Sequence, residues 1–286
     1  MAYTTLVPTG TLAAHLGEWV VVDCRFDLAN DAWGGEQYAA AHVPGAVYAS
    51  LNDDLSGPRT GTNGRHPLPA DEALVATIER LGIGNGTQVV AYDQDAGPWA
   101  SRLWWLLRYA GLASVAVLDG GFAKWIAEGR PVRPGLENRP RGVFRASFQR
   151  QMHATLNEVA QRRTDGRTLL VDARAPERFE GRAETIDKAA GHIPGARNRF
   201  FRDNLAADGT LLGADALRAA FSGVLGGRPP AEAVMYCGSG VTACHNLLAM
   251  AHAGLDGSPL YSGSWSEWSS DPSRPIETGP ARDEQP

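Results

Sequence analysis

Cysteine is scarce in this chain: Cys24, Cys237 and Cys244 are the only three in 286 residues. An odd, sparse set excludes a disulfide framework, and no CxxC pair or Cys/His cluster has the spacing of a zinc site. An excess of positive charge is also missing. The net charge is −5, so a nucleic-acid partner gains no support, and an anionic substrate must be held by a few local cations. No apolar run approaches the roughly 20 residues that cross a bilayer. The stretch Met1–Gly10 lacks a basic region followed by an apolar one, so no signal peptide is visible. The expectation is a protein of the reducing cytoplasm, without a membrane role, in which a free thiolate survives. Nothing calls for a metal or a cofactor.

What the chain has in abundance is itself. Val20-Val-Val-Asp23-Cys-Arg25 is matched by Leu169-Leu-Val-Asp172-Ala-Arg174, and His42-Val-Pro-Gly-Ala46 by His192-Ile-Pro-Gly-Ala196. Val89-Val-Ala-Tyr92-Asp93 is matched by Ala233-Val-Met-Tyr236-Cys237, and Leu118–Trp125 by Tyr261–Trp268. The offsets are 149, 150, 144 and 143 residues. Such a period is domain-sized, too long for a solenoid. Hence a duplicated domain is expected, with residues 1–138 as the first copy, 139–150 as a Pro-containing linker and 151–286 as the second. The last stretch, Ser269–Pro286, reads as a polar surface tail.

Within each copy, short β-branched runs alternate with segments of helical periodicity. Val20–Asp23, Gln88–Tyr92, Val115–Leu118, Leu169–Asp172 and Ala233–Tyr236 read as buried strands. Asp71–Leu81 (with Asp71 as N-cap), Trp99–Tyr109 and Val241–Ala253 read as helices. That alternation implies an α/β class with parallel sheets covered by helices on both faces.

Active sites of such folds lie beyond the carboxyl ends of strands. Two equivalent segments fall there: Asp93-Gln-Asp-Ala-Gly-Pro98 and Cys237-Gly-Ser-Gly-Val-Thr242. The second carries the chemistry. Gly238 and Gly240 permit unusual backbone angles. The N–H groups of Gly238 through Thr242, entering a helix near Val241, can converge on an anion. Such surroundings favour a thiolate, the nucleophilic form of cysteine. Asp93 stands at the nucleophile position of the first copy, so only the second copy can do thiol chemistry. Cys24, in a strand without a Gly-rich loop, and Cys244, about two helical turns past Cys237, read as core.

These residues resemble the tandem rhodanese family of sulfurtransferases, which includes thiosulfate and 3-mercaptopyruvate sulfurtransferases. The resemblance rests on Cys237-Gly-Ser-Gly-Val-Thr-Ala243, the duplicated His-[Val/Ile]-Pro-Gly-Ala motif and Gly263-Ser-Trp265-Ser-Glu-Trp268, and runs from about Leu16 to Gly279. It implies two tandem rhodanese-like domains, the first inactive, with sulfur carried as a persulfide on Cys237 and the site at the domain interface. The neutral Gly238 and Ser239 resemble the mercaptopyruvate branch. Its implied relay is Ser239 with a histidine and an aspartate of the first domain, by motif match His42 and Asp31; Asp27 is also in range. Arg178 matches a family arginine for the donor carboxylate. A second arginine, usual before the HIPG motif, is replaced by Ala183-Glu-Thr-Ile-Asp-Lys188, leaving Arg182 or Lys188 as substitutes. The resemblance implies 3-mercaptopyruvate as donor, with thiosulfate as the alternative. The acceptor would be cyanide, a thiol or thioredoxin. A phosphatase would need arginine six residues after the cysteine, where Ala243 stands, and an inactive carrier module would not keep the Cys237 loop intact.

Overall fold

A computed structural model describes residues 2–95 and 97–281. The chain forms two compact units, each an α/β body around one five-stranded sheet. The first contains β1 (Leu6–Val7), β2 (Val20–Asp23), β3 (Val47–Tyr48), β4 (Val89–Tyr92) and β5 (Val115–Leu118), in the order β1-β5-β4-β2-β3. The second contains β6 (His153–Ala154), β7 (Leu169–Asp172), β8 (Arg197–Asn198), β9 (Ala233–Tyr236) and β10 (Leu260–Tyr261), in the order β6-β10-β9-β7-β8. All strand pairs in both sheets are parallel. The duplication read from the sequence is thus a duplication of topology.

The central strands carry the most apolar, β-branched residues because helices cover both of their faces. Every residue of β2, β4, β5, β7 and β9 is buried. Each copy also buries an ion pair at the end of its second strand. Arg25 donates from Nη2 to Asp23 at 2.6 Å and to the Ala41 carbonyl at 2.6 Å. Arg174 donates to Asp172 and to the Gly191 carbonyl, each at 2.7 Å. Burying such charges is tolerable only because each guanidinium is paired and further hydrogen-bonded.

The boundaries differ from the sequence expectation in three places. Residues 139–149 are not a free linker but pack on the first unit, where Gly142 N–H donates to Glu79 O at 2.7 Å and Ser147 N–H to Ala110 O at 2.9 Å. Two segments also belong to the opposite unit from their sequence neighbours: Pro58–Leu68 packs in the second unit and Leu205–Leu211 in the first. The tail is not all surface either. Glu277 exchanges backbone hydrogen bonds with His192 at 2.8 and 3.0 Å, and Ala281 is buried; residues 282–286 lie outside the described residues. At the helix Asp71–Arg80, Ala70 is the cap and Asp71 the first helical residue, where its charge still favours the N-terminal dipole.

Candidate active site

Cys237 directly follows β9, and the helix Thr242–His252 starts five residues later. The intervening loop is shaped by two unusual backbones. Gly240 has φ +74°, and a β-carbon there would stand 2.3 Å from the Ser262 carbonyl oxygen. Ser264 has φ +54°, the only non-glycine at positive φ among the described residues. The first copy has Gly121 at the matching position, with φ +60°. Serine tolerates the strain because its Oγ is tied at both ends: it accepts from Cys237 N–H at 3.1 Å and donates to the Tyr261 carbonyl at 2.8 Å. Gly240→Ala should cost at least about 2 kcal/mol, because αL strain adds to a backbone clash. Urea unfolding would read this as a lowered midpoint, and activity should fall with it. An unchanged midpoint would mean that the loop adapts freely.

The loop delivers an N–H group to sulfur. Gly240 N–H donates to Cys237 Sγ at 3.1 Å. The first copy shows the same cradle already filled. Asp93 accepts from the N–H groups of Gly97, Trp99 and Ala100 at 2.9, 2.8 and 3.0 Å. Burial still pushes its carboxyl up to about 6, against the pull of those donors. Gly97 lies four residues past Asp93 and Gly240 three past Cys237, both at positive φ, so a glycine N–H of the loop serves a carboxylate in one copy and a thiol in the other. Of the other cysteines, Cys24 is buried, and burial beside Asp23 holds its thiol well above the usual range. Cys244 donates its S–H to the Gly240 carbonyl at 3.3 Å, which braces the loop from the first turn of the helix.

Ser239, itself buried, faces a histidine that sequence reasoning missed. His66 Nδ1 lies 2.8 Å from Ser239 Oγ. His66 comes from Pro58–Leu68, the first-half segment that packs in the second unit. Only the tight Gly64-Arg65-His66-Pro67 turn hinted at it in the sequence. His42 is a correction. Its Nδ1 is bound to the Tyr38 carbonyl at 2.8 Å and its Nε2 stands 3.7 Å from Glu137. His192, its repeat partner, does the same with Phe179 O at 2.8 Å and Glu277 at 3.9 Å. Both histidines brace the turn that the motif makes. Asp31 is exposed on the turn before the helix Trp33–Ala40 and is not brought to Ser239 by any hydrogen bond; Asp27 caps that turn, accepting from Ala29 and Asn30 N–H at 2.8 and 3.0 Å.

Arg178, on the short helix Pro176–Phe179, does reach the loop. A β-carbon at Gly238 would stand 3.6 Å from both of its Nη atoms. Its Nε and Nη2 are engaged by Glu184 at 2.9–3.1 Å and its Nη2 by Asp187 at 2.9 Å. Burial works against the charge on Glu184, yet the Arg178 hydrogen bonds hold its carboxyl below the usual range. Arg182 is a second correction. It is largely exposed and donates to Glu180 at 2.6 Å, and the side-chain atoms nearest Gly238 belong to Arg65 and Arg178 instead. The cation beside Arg178 is Arg65, which also pairs with Asp187. Val241 and Thr242 form the entry of the helix behind the loop; Val241 is buried and Thr242 partly so.

Fold and site define a duplicated parallel-sheet protein with one thiol centre and one counterpart plugged by a carboxylate. The chain belongs to the rhodanese family of sulfurtransferases, since the rhodanese-like domain matches residues 9–128 and again residues 155–271. It is 46% identical over 286 residues to a "Probable 3-mercaptopyruvate sulfurtransferase" of Pseudomonas aeruginosa, covering 98% of this chain and 100% of the relative. It is 34% identical to a thiosulfate sulfurtransferase of Cricetulus griseus, covering 93% and 92%. Among solved structures, a 3-mercaptopyruvate sulfurtransferase from Leishmania major superposes with a TM-score of 0.82 at 32% identity, covering 93% of this chain and 74% of that one.

Proposed function

We propose that the protein moves sulfur from 3-mercaptopyruvate to a thiophilic acceptor through a persulfide on Cys237. The observation that carries this reading is the Ser239–His66 pair, 2.8 Å apart, two residues along the loop from the thiol. The Cys237 thiolate attacks the donor sulfur and the C–S bond breaks. The electron pair stays on carbon as the enolate of pyruvate, while the sulfur remains on Cys237. The enolate then takes one proton, and a hydroxyl backed by imidazole is suited to supply it. Gly240 N–H stabilises the sulfur anion before and after transfer. A thiol, thioredoxin or cyanide then removes the outer sulfur and returns the thiolate. All three cysteines are free, which fits a reducing, cytoplasmic setting.

A second reading, thiosulfate as donor, has its own support in the guanidinium groups of Arg65 and Arg178 above Gly238. Sulfite leaves with its electron pair on sulfur and needs no proton on carbon. Comparing kcat/KM for both donors on one preparation decides between them. The expected outcome is at least a tenfold preference for 3-mercaptopyruvate, a difference of about 1.4 kcal/mol. A preference for thiosulfate of that size would mean that paired cations outweigh the proton relay.

A further inference from the structure

A cavity of about 360 Å³ lies in the second unit, walled by the segment that follows β10. That volume is at the small end of ligand pockets. One wall is Tyr261 to Gly263, with Glu267 of the short helix Ser264–Trp268. His153 of β6 and Leu156 of the helix Leu156–Arg162 form the second, and Pro67 and Leu68 add apolar surface. Among the described residues no lysine or arginine lines it, and Glu267 is its only carboxylate.

No ion pair engages that carboxylate among the described residues. Gly263 has an ordinary helical backbone, φ −66° and ψ −32°, so glycine is needed there for space. A β-carbon would overlap Glu267 Oε2, which folds back over it. The cation whose charge bears on Glu267, Arg274, donates instead to the Glu267 and Trp268 carbonyls at 2.5 and 3.1 Å. It also lies 3.7 Å from Asp271. Tyr261, 1% exposed, turns its hydroxyl to the Glu267 carboxyl without a hydrogen bond of normal geometry. Burial pushes that carboxyl up, against the pull of Tyr261 and Arg274. A half-buried anion without a countercharge is costly, and a cation in the cavity relieves that cost. Beside it, Ser262 Oγ lies 2.9 Å from His153 Nε2. Donating there, the hydroxyl keeps its lone pairs for a ligand.

We propose that this cavity is a regulatory site for a small primary ammonium, with Glu267 as counter-ion, Ser262 Oγ as a second hydrogen-bond acceptor and Pro67, Leu68 and Leu156 around the alkyl body. An anion finds no cation there to meet it. The occupant bears on Cys237 through the wall it touches. The Ser262 carbonyl packs on Gly240, leaving no space for a β-carbon. Trp265 N–H donates to the Cys237 carbonyl and Ser266 N–H to the Gly238 carbonyl, each at 2.9 Å. Filling the cavity therefore braces the segment that holds the thiol loop. The site goes beyond the reading of the sulfur donor and holds for either one.

Propylammonium chloride is the probe, used on the full-length protein. At saturation it should raise the thermal unfolding midpoint by about 2–4 °C. Propan-1-ol, its uncharged isostere, and sodium propionate at equal ionic strength should shift it by less than about 1 °C. Alkylation of Cys237 by iodoacetamide should slow about twofold or more, because a thiol 1% exposed is reached only when its loop opens. Glu267→Gln keeps the shape and removes the charge, so both responses should vanish. Leu156→Trp fills the cavity and leaves Glu267 in place; it decides the matter if the glutamine variant does not fold. No shift with propylammonium, an equal shift with propan-1-ol, or a shift that persists in either folded variant would overturn the site. A shift with an unchanged alkylation rate would overturn its link to the thiol.

Discussion

Cys237→Ser should abolish sulfur transfer from either donor while the protein stays folded. The loss in kcat should be on the order of 10⁴-fold or more, the scale on which removal of a covalent nucleophile acts. A serine hydroxyl is a far weaker nucleophile than a cysteine sulfur, and Gly240 N–H is placed to stabilise charge on that sulfur. The fold should survive because a serine Oγ can accept from the same N–H. The stability change should stay within about 1 kcal/mol. Mass spectrometry of the wild type after donor treatment should find one added sulfur on the peptide with Cys237 and none on those with Cys24 or Cys244. Cys24 cannot share the role, because burial keeps it a thiol, and Cys244 has its S–H committed to the Gly240 carbonyl. Substantial activity in the serine variant, or equal loss on replacing Cys244, would move the nucleophile elsewhere.

The second large effect belongs to the Ser239–His66 pair. Ser239→Ala should lower kcat for 3-mercaptopyruvate by about 10²–10⁴-fold, the usual contribution of a positioned proton donor. His66→Ala should do nearly the same, and the double variant should be little worse than either single one, because the two act as a unit. With thiosulfate, whose leaving group needs no carbon protonation, all three variants should lose much less. His42→Ala is the control. It removes a turn brace bound to Tyr38, so it should lower the unfolding midpoint with similar effects on both donors. Equal losses for the two donors in Ser239→Ala would reduce the serine to a loop-shaping residue. A donor-selective effect in His42→Ala, absent in His66→Ala, would return the relay to the motif histidine.

The exchange of His42 for His66 shows why part of the site was hard to read. His42 attracted attention because it sits in a motif, but the motif occurs twice, and its second copy does the same structural work at His192. A residue repeated in the copy with the thiol and in the copy without it is more readily explained by what the copies share, which is the turn. His66 and Arg65 have no counterpart motif in the second half and lie in a polar, Gly- and Pro-containing stretch that resembles any surface loop. No cation stands at positions 238 and 239 of the sequence. In the folded chain the same absence makes room for Arg65 and Arg178. The helices and strands are legible because they rest on periodicity, and the Cys237 loop stands out because its pattern is local.

The sequence by itself determined the duplication, the parallel α/β class, the loop that carries Cys237 and the aspartate, Asp93, that stands at the matching position of the first copy. These follow from local rules: β-branched runs make buried strands, glycines permit the loop angles, and a carboxylate cannot replace a thiol. Only the tertiary structure decided which unit Pro58–Leu68 packs in, and with it which histidine meets Ser239 and which arginine joins Arg178. Those partners lie 173 residues apart for His66 and Ser239 and 122 for Arg65 and Asp187. No periodicity spans such a separation. Ion pairing and hydrogen bonding select among many polar loop residues only once the sheets have fixed where each loop can reach.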